Sequence, residues 1–165
     1  MKNYRWFVIM ALAGLCLDQG SKWLVSTGMS LHQSIELLPN FFHLTYLRNP
    51  GAAFGILANH AFRLPFFISI SILASLGILW YLWKQQGGSL RQQLALGLIL
   101  SGALGNLIDR IRYGEVVDFL DVHWYHHHWP AFNVADSAIC VGVGLLLLDS
   151  WFEERRKSLK GKEDS

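Results

Sequence analysis

Leu94-Ala-Leu-Gly-Leu-Ile-Leu-Ser-Gly-Ala-Leu-Gly-Asn-Leu-Ile-Asp-Arg-Ile111 decides the fold, because it is apolar over most of its length and polar only towards one end. A helix crossing a bilayer needs about 20 predominantly apolar residues, and this stretch approaches that length. Gly97, Ser101 and Gly105 recur every four residues in it, a stripe of small side chains along which another helix can approach closely. Ala135, Ala138 and Gly142 repeat the device further on. Asn106, Asp109 and Arg110 close the stretch, and ionisable groups near bilayer depth are costly enough to be rare and usually functional.

Three other stretches match it, at Trp6–Leu24, Leu64–Trp83 and Phe132–Trp151. In 165 residues that are 52% hydrophobic and 16% charged, four such stretches leave room for one domain. Lys84–Arg91, rich in Gly and Gln, is a tight turn between the second and third helices. The two longer connections carry structure of their own. Gln33–Leu38 and Phe41–Arg48, divided by Pro39-Asn40, read as a hairpin with Phe42, Leu44 and Tyr46 on one face. Glu115–Val122 supplies another short strand, and Ala53–Phe62 reads as a short helix along the interface. The expected fold is an all-α polytopic membrane protein: four transmembrane helices with a small β-containing platform on the outer surface. Residues 1–165 form one membrane-embedded domain, with a disordered basic tail near 154–165.

Positive charge sets the orientation. Lys2, Arg5, Lys84, Arg91 and the run Arg155, Arg156, Lys157, Lys160 and Lys162 share one side, which places both termini in the cytoplasm. Trp6, Trp23, Trp80, Trp83 and Trp151 lie near helix ends, where interfacial aromatics belong. A net charge of +2 gives no argument for nucleic acid. Lys2, Arg5 and the apolar run to Leu17 imitate a secretory signal, and Ala13-Gly14-Leu15-Cys16 imitates a lipoprotein cleavage box. Leu15 intrudes where a small residue should precede the cysteine, and the apolar pattern resumes beyond Asp18, so the segment reads as a retained helix. Cys16 and Cys140, both in expected helices, read as buried thiols rather than a disulfide.

Mapped onto depth, the polar residues gather. At about 1.5 Å rise per residue, Asp18 lies ~18 Å along the first helix and Asp109 ~27 Å along the third, counted from Arg91. Asp18, Asn106, Asp109, Arg110 and Asp136 therefore approach one face of the membrane, while Asp149 sits at the other as a solvated terminus. Each has a structural reading. Asp18 and Lys22 are spaced for an i,i+4 ion pair, or for contact with a substrate headgroup. Asn106, Asp109 and Arg110 can tie down the loop that follows them. Asn133 and Asp136 have the spacing of an N-cap and its N3 partner.

Their convergence with Asp118 shifts the balance towards chemistry. Two carboxyls sharing one proton hydrolyse a peptide without metal or covalent nucleophile: the ionised member takes a proton from water while the protonated member polarises the carbonyl. Two close negative charges push one pKa up, and the titration belongs to the pair. The helix dipole makes Asp136 the ionised member if its helix begins as late as Asn133.

At this point five motifs, in order, carry a resemblance across nearly the whole chain. They are Asp18-Gln-Gly-Ser-Lys22, Asn49-Pro-Gly-Ala-Ala-Phe54, Gly105-Asn-Leu-Ile-Asp-Arg110, Gly114-Glu-Val-Val-Asp-Phe119 and Pro130-Ala-Phe-Asn-Val-Ala-Asp136. The chain resembles the bacterial lipoprotein signal peptidases (signal peptidase II). The resemblance implies an inner-membrane aspartic endopeptidase with a periplasmic β-cradle and no cofactor. It would cut diacylglyceryl-modified prolipoproteins immediately before the lipidated lipobox cysteine. It further implies Asp118 and Asp136 as the catalytic dyad, with Asn49, Asn106, Asp109, Arg110 and Asn133 as the polar shell orienting dyad and substrate. Asp18 and Lys22 would give support, and globomycin-type cyclic peptides would inhibit. Gly55–Asn59 is placed to cover the substrate, the partners are prolipoproteins and membrane lipids, and the expected state is a monomer.

Two other classes compete. An ion-coupled transporter would hold its acids nearer the midplane, with broken helices or repeats, and neither is evident. A metalloenzyme could be argued from His123 and His126–His128. Three consecutive histidines point in different directions, however, and no His-Glu-x-x-His accompanies them, so they read as a solvated or interfacial loop and no metal is expected.

Overall fold

Ser89 and Gln92 start the central helix earlier than its apolar run does. Ser89 Oγ accepts from Gln92 N at 3.2 Å, and Gln92 Oε1 accepts from Ser89 N at 3.1 Å, a reciprocal capping box that opens a helix at Leu90–Tyr113 (α3). Gly114, at φ 72°, ends α3 and returns its N–H to Arg110 O at 3.0 Å. The computed structural model describes residues 4–51 and 60–163, and beyond Phe152 it describes the side chains of Glu154, Arg155 and Leu159 only.

Helices at Arg5–Gly28 (α1), Arg63–Lys84 (α2) and Val134–Glu163 (α4) surround α3. All four are long and apolar enough to span a membrane. The span of α3 is 61% buried against 17–22% for the others, so α3 is the post on which the bundle is built. The small-residue stripes explain the packing. Gly97, Ser101 and Gly105 face Phe7, Gly14 and Asp18 of α1, and a β-carbon at Gly97 would stand 2.8 Å from Phe7 O. Gly102 lies under Ala135 O, and Gly142 lies against Ile99 and Ala95 O, which brings α4 equally close. Phe7, Leu82, Leu96 and Leu100 fill the space between α1, α2 and α3.

The platform is a four-stranded antiparallel sheet in sequential order: Ser34–Leu38 (β1), Phe42–Asn49 (β2), Val116–Trp124 (β3) and His127–His128 (β4). The β1–β2 turn places Asn40 at φ 57°, a left-handed position that Asn tolerates. Val25, Tyr46, Val117 and Phe119 seat the sheet on the end of α1. Phe132 exchanges backbone hydrogen bonds with Leu120 at 2.8 and 3.0 Å, so the strand-like approach to α4 lies beside β3.

Several expectations need correction. The first three helices run beyond their apolar cores at both ends; at α3 the Ser89–Gln92 capping box and Gly114 set those ends. The tail read as disordered continues α4 to Glu163, its Glu, Arg, Lys and Leu being good helix formers. Asp149 is buried rather than solvated, with Ser89 Oγ at 3.5 Å and Arg91 Nη1 at 3.7 Å. Cys16 and Cys140 are free but exposed on the helix surfaces; Cys16 lies about 200° around α1 from Gly14 and Asp18, away from the packed face. His123 is buried in β3 and stacks on His128 of β4, whereas His126 lies in the turn before β4 and His126, His127 and His128 are exposed, so only His123 leaves the solvated reading. The interfacial helix expected at Ala53–Phe62 lies outside the described residues except for 60–62, which form a turn.

Candidate active site

Lys22 lies at the heart of the polar cluster and is 3% exposed. Its Nζ lies 2.9 Å from Asp18 Oδ2, 2.9 Å from Asp109 Oδ2 and 3.0 Å from Asn106 Oδ1, so three acceptors meet its three protons. The two carboxylates reach onwards. Asp18 Oδ1 accepts from Ala135 N at 2.8 Å, at the start of α4. Asp109 Oδ2 accepts from Val117 N at 3.1 Å, at the start of β3. One buried ion triad therefore joins α1, α3, β3 and α4. Asp18 is fully buried, which favours its structural reading over a headgroup contact.

Gln19 belongs to this knot and was not among the expected site residues. Its Nε2 lies 3.0 Å from Asp109 Oδ1, 3.1 Å from Asp18 Oδ2 and 3.2 Å from Gly105 O. Its sequence signal is its place inside Asp18-Gln-Gly-Ser-Lys22, between two charges.

Asp118 and Asp136 arrive from different elements. Asp118 stands on β3 opposite Leu47, and Asp136 is the third residue of α4. Asn133 caps that helix: its Oδ1 accepts from Asp136 N at 2.9 Å, and Asp136 Oδ2 accepts from Asn133 N at 3.2 Å. The expected N-cap and N3 pair is present, and the same asparagine donates through Nδ2 to Asp118 Oδ1 at 2.7 Å. Asn49 Nδ2 donates to Asp118 Oδ2 at 2.9 Å, and Asn106 Nδ2 to Asp136 Oδ1 at 2.8 Å. Arg110 lies 4.7 Å above the Phe67 ring and donates to Asn106 O and Gly51 O at 3.3 and 3.4 Å.

A cavity of about 520 Å³ opens onto Asn49, Asn106, Arg110, Asp118 and Asp136, and its remaining wall is largely apolar. Asp118 is 2% exposed. Burial pushes its carboxyl up to about 7, the Asp136 charge adds to the rise, and the Asn49 and Asn133 amides and the Lys22 charge work against it. The two carboxyls sit in different surroundings: Asp118 is raised by burial, while Asp136 sits at a helix N-terminus among donors. Among the described residues no cluster of His, Cys, Asp and Glu is placed to hold a metal ion.

The geometry has relatives. The sequence model of the family described as Signal peptidase (SPase) II matches residues 10–152. The chain belongs to the signal peptidase II family. It is 54% identical over 157 residues to a lipoprotein signal peptidase of Geobacter sulfurreducens, spanning 94% of this chain and 98% of that one. A lipoprotein signal peptidase of Syntrophotalea carbinolica is 51% identical over 151 residues, spanning 92% and 94%. A bacterial membrane enzyme solved by the in meso method at 2.3 Å resolution superimposes with a TM-score of 0.83 at 35% identity, covering 92% of this chain and 90% of that one. The family is one of aspartic endopeptidases that remove signal peptides from prolipoproteins, and this chain is such a multi-pass membrane protease.

Proposed function

We propose that Asp118 and Asp136 are the catalytic dyad, and that the bond they cut immediately precedes a diacylglyceryl-modified cysteine. The observation that carries this reading is the facing of both carboxyls into one cavity, each gripped by asparagine amides, with Asp118 near 7 and Asp136 at a helix N-terminus. Asp136 takes a proton from water as the water attacks the scissile carbonyl. Protonated Asp118 donates a hydrogen bond to the carbonyl oxygen and stabilises the developing oxyanion. Asp136 then returns its proton to the leaving amine, and the dyad is restored.

Asn49, Asn106 and Asn133 hold the two carboxyls, Arg110 faces the substrate backbone, and Asp109, Asp18 and Lys22 brace the shell. The apolar cavity wall receives the end of the signal helix, while the lipid anchor fixes the bond at that depth and lowers the cost of orientation. The enzyme sits in the inner membrane with both termini cytoplasmic and the dyad on the periplasmic side, in keeping with its basic short segments. It works as a monomer, and a globomycin-type cyclic peptide competes for the same cavity.

The test is cleavage of a diacylglyceryl-modified prolipoprotein in liposomes by the wild type, Asp118→Asn and Asp136→Asn. Cleavage before the lipidated cysteine, with folded variants slower by about a thousandfold or more, is the expected result. Variants that cut at the wild-type rate would make the two acids structural and overturn the assignment.

A further inference from the structure

Three asparagines present amide nitrogens to the dyad, and each is oriented by a donor at its own oxygen. For Asn49 the donor is Gly51 N–H at 2.9 Å, and for Asn133 it is Asp136 N–H at 2.9 Å. Both are backbone groups, fixed by the fold. Asn106 differs. Its Oδ1 takes Lys22 Nζ at 3.0 Å and Asn133 Nδ2 at 3.2 Å. Asn133 Nδ2 has two protons and two other acceptors, Asp118 Oδ1 at 2.7 Å and Val117 O at 3.3 Å, so its hold on Asn106 is the weaker.

An ammonium has donors only. While Lys22 faces Asn106, the amide cannot flip, and Nδ2 must point at Asp136 Oδ1, 2.8 Å away. We propose that Lys22 is a positioning residue: acting through Asn106, it keeps the amide Nδ2 on Asp136 Oδ1 and thereby fixes which carboxyl takes the proton from water. This rests on the dyad reading above and gives it a direction.

The geometry around Nζ supports the role. Two of its bonds, to Asp18 and Asp109, anchor the ammonium between α1 and α3, and the third is aimed at Asn106. With Lys22 gone, only the weaker donation from Asn133 Nδ2 at 3.2 Å holds Asn106 Oδ1, and a flipped amide would turn its oxygen towards Asp136, where it would repel a carboxylate and accept from a protonated acid. Among the described residues, Arg110 on α3 and Asp118 on β3 interact electrostatically with Asp136, Asp109 on α3 acts on Arg110, and Asp18 on α1 accepts from the neighbouring Ala135 N–H. Arg110 stays in every variant proposed below, so the loss of the Asn106 orientation is read against a constant cation.

The experiment is the pH–rate profile of prolipoprotein cleavage, read in single turnovers with excess enzyme so that slow variants remain measurable. Lys22→Met removes a charge that holds the Asp118 carboxyl down and frees the amide that donates to Asp136, so the bell is expected to move to higher pH, by about one unit. The expected signature is a loss of about tenfold one unit below the wild-type optimum, most of it regained above that optimum. Asn106→Ala is expected to move the profile in the same direction. A Lys22→Met profile lowered by one factor at every pH would reduce Lys22 to a structural brace and overturn the proposal. A shift in Lys22→Met with none in Asn106→Ala would overturn the route through Asn106. If Lys22→Met does not fold, Lys22→Met with Asp18→Asn removes one charge of each sign and is read by the same two criteria. Asp118→Asn and Asp136→Asn run alongside: wild-type cleavage by those sinks the dyad itself, whereas a dead dyad with an unmoved Lys22→Met profile sinks only the positioning role.

Discussion

Asn133 Nδ2 stands 2.7 Å from Asp118 Oδ1 while the other end of the same amide caps α4. One side chain thus fixes where a helix begins and how a strand carboxyl is held, so Asp118 and Asp136 are brought together by the act that starts α4.

Asn133→Ala removes both functions. Loss of an N-cap costs about 1 kcal/mol, and a buried carboxyl losing one of its two amide donors costs about 1–3 kcal/mol more. Thermal unfolding in detergent should show that loss, and cleavage should slow by about a hundredfold or more, because Asp118 loses its orientation as well as its donor.

The stability of the protein should fall as pH rises through neutrality. Asp118 titrates at 3.8 when unfolded and at about 7 when folded. Between those values the folded chain keeps a proton that the unfolded chain has released, so the stabilisation is present at low pH and is lost on approaching 7. Asp118→Asn is neutral at every pH and should remove this slope. It should be inactive, and its stability at about pH 8 relative to the wild type reflects the removed ionisation penalty less the cost of turning its own NH2 towards Asn49 or Asn133. Denaturant titrations at two pH values decide it, and an unchanged slope would place the Asp118 pKa in the ordinary carboxylate range.

Gly105→Ala should damage both packing and the ion triad. The new β-carbon would meet the Asp18 carboxylate and come within 3.3 Å of Ala135 Cβ. A loss of about 1–3 kcal/mol is expected, as for overpacking elsewhere. Gly144→Ala, with nothing within 4 Å, is the comparison and should change the melting temperature little.

Removing the last turns of α4 should leave catalysis alone. The membrane-length part of α4 ends at Phe152, and residues 153–163 extend it. A chain stopped after Arg155 should cleave within about twofold of the full length, since truncation tolerance follows burial and Leu159, the one described side chain it removes, is exposed. A larger loss would assign the tail a part in folding or insertion.

How much was legible beforehand follows from the range of each force. The four spans, the hairpin at Gln33–Arg48 and the Asn133–Asp136 cap could be read from the sequence, because apolar length, alternation and capping are local and repeat within a few residues. The small stripes on α3 and α4 announced close packing and could not name their partners. Only the fold paired Gly105 with Asp18, and Gly102 with Ala135. Exposure escaped for the same reason: Cys16, Cys140, His123 and Asp149 are placed by what lies across from them, which no local pattern records. The sequence by itself determined which residues are costly in a membrane and therefore worth explaining. Tertiary structure alone decided that Lys22 meets Asn106 across 84 positions and that Asn133 meets Asp118 across 15, since burial forces polar atoms to find partners wherever the packed helices bring them.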